Sequence, residues 1–173
     1  MPMTTRIHRK PTTRLDPFSR TLIRELEKRV LIGIPAESMH PGEKGEPPIS
    51  NAVLGYLFEG GEPSINMPAR PHLVPGVESI REQAVQLLAA GATAAFQGDL
   101  SAPERALHEV GLIGTSAVQA KITDGAFAPL AERTIKGRLR RGRTGTKPLI
   151  DTGAYRRSFT YTIQPRPLAG SGY

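Results

Sequence analysis

Leu149-Ile150-Asp151-Thr152-Gly153-Ala154 has the apolar-apolar-Asp-Thr-Gly form of a catalytic aspartate loop, in which two such aspartates share one proton and activate a water. The chain holds no second copy of the motif. The 20 residues after Gly153 are too few to supply the strands and second glycine loop that would hold Asp151 in a catalytic pose. Asp151 therefore reads as the N-cap of a short helical turn through Tyr155 and Arg156. Gly142-Arg143-Thr144-Gly145-Thr146-Lys147 lacks the Gly-Lys-Ser/Thr ending of a phosphate-binding loop and has no strand-to-helix context. His8, His40, His72 and His108 are scattered, with no i, i+4 pair and no cysteine to complete a metal site, and no serine stands in a Gly-x-Ser-x-Gly elbow. These patterns predict no catalysis, no cofactor and no metal.

The remaining chemistry is electrostatic. The formal net charge is +7, yet residues 1–14 carry four Lys or Arg and residues 133–147 carry seven, neither segment holding an acid, so the rest of the chain is net acidic. In the basic loop 136–147, Arg138, Arg140, Arg141, Arg143 and Lys147 could meet phosphate, with glycines letting the backbone approach. No aromatic residue is interleaved, so base stacking is not indicated. A charge run is most often a solvated face, and arginine-rich loops also bind acidic protein surfaces. The segment is read as a contact for DNA or for a protein partner.

The elements that must position these groups follow from periodicity. Asp16-Pro17 predicts an N-capped helix over about 17–29, and Val30 to Pro35 a buried strand. Residues 36–48 read as a surface loop. Ser50 or Asn51 caps a helix that Gly60-Gly61 ends. Pro63, Pro68, Pro71 and Pro75 make residues 65–74 an extended ribbon or edge strand. Its apolar residues predict a subunit contact through Ile65, Met67, Arg70, Leu73 and Val74, with Arg70 held by a carboxylate beside or across it. Long helices are predicted from Val77 to Ala95 and over 102–122, the second opened by a Ser101 capping box, then a helix from Thr134 and a strand over 159–163. The predicted fold is α+β: a small, mainly antiparallel sheet from residues near 30–35, 63–74 and 158–164, packed with two long helices and shorter ones. One domain over 15–164 would carry a basic arm at 1–14 and a tail at 165–173. No run is long enough to span a membrane, no signal-peptide core is present, and the absence of cysteine suits a reducing cytosol.

Asn51-Ala52-Val53-Leu54-Gly55-Tyr56-Leu57-Phe58-Glu59-Gly60, followed by Met67-Pro68-Ala69-Arg70-Pro71-His72-Leu73, resembles a signature of bacteriophage virion-morphogenesis and tail-completion proteins. Pro129-Leu130-Ala131 with Thr134, and Pro148-Leu149-Ile150-Asp151-Thr152-Gly153-Ala154-Tyr155-Arg156-Arg157-Ser158, are similar to the elements that end the same family. The blocks cover about a fifth of the chain in the family's order. Met67 stands where Ile is usual, His72 where Phe is usual, and Tyr155 where Leu is usual. The resemblance implies a virion structural protein of the neck, made in the host cytoplasm. It would join tail to head as a homo-oligomeric ring, commonly hexameric, around the DNA channel. Its partners would be itself, other neck, portal-side and tail proteins, and packaged double-stranded DNA. A tail terminator capping the tail tube and a non-specific DNA-binding module are the alternatives.

Overall fold

In a computed structural model, residues 15–40 and 48–166 are described. The basic arm at 1–14 lies outside them, as do residues 41–47 and the tail from 167. Helix α1, Pro17–Leu26, begins where predicted: Asp16 is the N-cap and its carboxylate accepts from the Ser19 backbone N–H at 2.9 Å. The helix is shorter than the predicted 17–29, because Lys28–Gly33 forms strand β1. That strand pairs antiparallel with β4, Thr160–Pro165, with Val30 opposite Ile163 and Ile32 opposite Tyr161. β-Branched Val30 and Ile32 suit the pleated surface better than a helix's last turn.

The stretch 36–48 is not all loop: Met39–His40 within it forms strand β2, which pairs antiparallel with β3, Ile49–Ser50. Helix α2, Asn51–Gly60, follows with Ser50 at its N-cap, the Ser50 hydroxyl accepting from the Ala52 N–H. Gly61 ends it at φ 75°, a left-handed value that glycine adopts without penalty.

The ribbon 65–74 is not a strand, and the sheet does not contain it. Pro63–Ile65 is a 3-10 turn closed by Asn66 at φ 55°, and a lone Glu62–Met67 bridge follows. Pro68 and Pro71 remove ladder donors, so pairing cannot continue. Leu73 and Val74 then open helix α3, Leu73–Glu78, and the expected long helix starting at Val77 is broken at Ser79-Ile80 before α4, Arg81–Phe96.

Helix α5, Ala102–Asp124, is the central element, packing against α3, α4, β1 and β4. Small residues set how close its partners come. A Cβ on Gly91 of α4 would stand 2.8 Å from the Ala106 Cβ, so the two helices meet at a glycine-alanine seam. The Ser101 capping box does not form; Asp99 accepts from the Ser101 N–H instead, at 3.2 Å. Helix α6, Glu132–Arg140, and the short α7, Ala154–Arg157, complete the order. Val118, Ile122, Leu149, Tyr155 and Phe159 form the buried core, with Ile32, Leu54, Phe58 and Val77 packed against it. The fold is a small α+β domain whose strands are all antiparallel among the described residues.

Candidate functional site

The site begins with Glu59, at the end of α2. Its carboxylate accepts three backbone N–H groups: His72 and Leu73 on one oxygen at 2.8 and 2.9 Å, and Val74 on the other at 3.0 Å. It thereby caps α3, satisfying donors that the helix cannot satisfy itself, at the end where negative charge is favoured. Partial burial works to raise the Glu59 carboxyl, but the three N–H donors, with His72, hold it below the usual carboxylate range.

His72 is fully buried. Its Nδ1 lies 2.7 Å from the Arg70 carbonyl oxygen, which can only accept, so Nδ1 donates. Nε2 lies 2.7 Å from the Tyr155 hydroxyl and accepts its proton. Both rings meet Phe159 edge to face, at centroid distances of 5.6 and 5.4 Å, and Phe58 meets Tyr155 at 5.3 Å. Burial pushes the His72 imidazole below its ordinary value, against the Arg70 carbonyl and Glu59, which favour the charged ring. Burial likewise pushes the Tyr155 phenol upward, and the Glu59 charge adds to it.

Arg70 is also buried, and among the described residues of the same chain no carboxylate lies beside it to hold it. Its Nε donates to the Ala128 carbonyl and one terminal nitrogen to the Pro129 carbonyl, both at 3.2 Å. The chain after α5 has no secondary structure at 128–130, so its carbonyls are unused and a guanidinium can collect them.

The basic loop is organised by one of its own members. Arg138, expected to face a partner, is buried, and its Nη1 donates to the carbonyls of Gly145, Lys147 and Ile150 at 2.9, 3.0 and 2.8 Å. Its Nε lies 3.6 Å from Asp151, which also receives Arg143. Lys147 donates to the Thr123 carbonyl at 3.1 Å. Asp151 is thus not a helix cap; Gly153, at φ 77°, takes that position. Arg140 and Arg141 remain exposed at the end of α6.

These pieces surround one open cleft of about 820 Å³. Ile65, Met67, Arg70, Leu130, Asp151 and Tyr155 are among its lining residues, so the three stretches singled out in the sequence border one cleft. Of the five expected interface residues, Ile65, Met67 and Arg70 line the cleft, Leu73 packs on the core, and Val74 is exposed. Sequence reasoning missed Glu59, His72 and Tyr155 as a unit. His72 was read as one of four scattered histidines, and the apolar residues around it gave no sign of a polar partner 83 residues away. Among the described residues no group of three or more His, Asp or Glu is placed to hold a metal ion. Nor is any helix long and apolar enough to cross a membrane.

No family model, curated protein or solved structure matches the chain.

Proposed function

We propose that this chain is a bacteriophage neck protein of the tail-completion class, which joins tail to head as a homo-oligomeric ring around the DNA channel. The observation that carries the reading is the His72–Tyr155 hydrogen bond. These are two of the three positions at which the chain departs from the family signature, and each puts a polar group where an apolar one is usual. Two independent polar intrusions into a core would each be costly, whereas a pair that satisfies itself is tolerated. Their meeting explains both departures at once and supports alignment of the two distant blocks with one family pattern.

The exposed surface supports assembly. Ile65 in the cleft, Val74 on α3, and Val85 and Phe96 on α4 are each at least half exposed in the lone chain, which leaves apolar side chains available to a contact face. No catalytic role is proposed for Asp151, whose carboxylate is engaged by Arg138 and Arg143. The test is the mass of the purified chain, alone and with tails and heads. A closed oligomer that renders purified tails competent to join heads is the expected result. A chain that stays monomeric and neither binds tails nor restores joining would overturn the proposal. A chain that caps tail tubes without restoring joining would place it as a terminator.

A further inference from the structure

Arg70 carries a charge that no carboxylate among the described residues neutralises. It is 6% exposed, its bonds run to two carbonyls, and among the described residues no carboxylate comes within ion-pair reach of it. Carbonyl dipoles orient a guanidinium without supplying a counter-charge, and buried charges in stable proteins are paired. The cleft it lines has the same imbalance. Arg133 is also on its wall, and Asp151, the one carboxylate there among the described residues, pairs with Arg143 through one oxygen and lies 3.6 Å from the Arg138 Nε through the other. What fills this cleft should bring apolar surface and a free carboxylate.

The chain carries such a surface elsewhere. On α4, Glu82, Val85, Ala89 and Phe96 fall within roughly 60° of arc at 3.6 residues per turn. All four are exposed, Val85 at 60% and Phe96 at 67%. Glu82 makes no hydrogen bond or ion pair among the described residues, unlike Glu78 on α3, which pairs with Arg81 at 3.5 Å. The α4 helix therefore offers a convex apolar ridge with an unpaired acid at its start, complementary to a concave apolar cleft with an unpaired base.

We infer that the α4 ridge of one copy docks over the cleft of the next, with Glu82 supplying the carboxylate for Arg70. Ridge and cleft are different surfaces, so the contact is head-to-tail and propagates from copy to copy until it closes a ring. The inference rests on the ring proposed above and assigns the faces that build it.

The chain has no cysteine, so one engineered pair reports the contact cleanly. Full-length chain carrying Val85→Cys and Ala69→Cys, treated with a short bismaleimide, should give a ladder of linked copies ending at the ring number. Either single variant, with no second thiol across a head-to-tail contact, should stay unlinked. Separately, Glu82→Lys and Phe96→Ser should each raise the concentration at which the oligomer half-dissociates by tenfold or more. Both substitutions lie on an exposed helix face, so the monomer's thermal midpoint should be unchanged. Rings of normal mass that give no ladder and tolerate both α4 substitutions would overturn this contact while leaving the ring intact. A wild-type chain that is monomeric at every concentration would overturn the ring as well.

Discussion

The Nε2 of His72 and the hydroxyl of Tyr155 lie 2.7 Å apart at the centre of the fold, where His72 is fully buried and Tyr155 is 5% exposed. The pair joins the start of α3 to α7, and Glu59 joins the same point to α2. Three elements, two of them neighbours in sequence and the third 83 residues beyond His72, are thus tied by one short polar network against an apolar core cluster.

Breaking that pair from one side leaves a buried polar group without a partner, which costs about 1–3 kcal/mol. Tyr155→Phe should therefore destabilise the chain by about that much. The double variant His72→Phe with Tyr155→Leu removes both polar groups and restores an apolar pair, so it should cost less than the sum of the single changes. A double-mutant cycle of urea midpoints measures the coupling. Strict additivity would contradict the hydrogen bond.

The same pair makes stability depend on pH. The folded-state value of His72 is depressed, so the unfolded chain takes up this proton more readily than the folded one. The contribution is fully present above the ordinary histidine value near 6.5 and is lost progressively as pH falls below it toward the lowered folded value. Urea midpoints measured from pH 7.5 to 5 should fall in wild type. They should fall less in the His72→Phe, Tyr155→Leu double variant.

Glu59→Gln keeps the shape of the side chain but removes the charge that accepts three backbone N–H groups at the start of α3. Bonds to a charged acceptor are the stronger kind, and a loss of about 2 kcal/mol is expected. The Glu59 carboxyl is held below its usual range, so its contribution is present above about pH 4.5 and is lost as pH falls through the lowered value. Faster amide exchange at Leu73 and Val74 in the variant is the local measurement.

Arg138→Ala should loosen the basic loop without abolishing its charge. Removing the guanidinium strands the carbonyls of Gly145, Lys147 and Ile150 and leaves Asp151 with Arg143 alone, at a cost of about 3 kcal/mol. Trypsin should then cut after Arg143 markedly faster than in wild type. Arg140→Ser, on the exposed end of α6, should leave that cleavage rate unchanged and serves as the control.

By itself the sequence determined the elements whose signals are local. Asp16-Pro17 started α1, Ser50 or Asn51 and Gly60-Gly61 bounded α2, and the apolar period of residues 102–122 marked α5, because capping and helical spacing act within a few residues. Only the tertiary structure decided the Pro-rich stretch. Its prolines fixed where backbone donors were missing, but whether Leu73 began a helix depended on Glu59 arriving from another element to satisfy its N–H. The destinations of charge were decided the same way. Arg138 and Arg140 are two residues apart and identical in type, yet one is buried among three carbonyls and the other faces solvent. Adjacent charged residues on a helix look alike in sequence. The fold distinguishes them by which side of α6 meets unpaired carbonyls, and those carbonyls come from a loop whose own path depends on the arginine that gathers them.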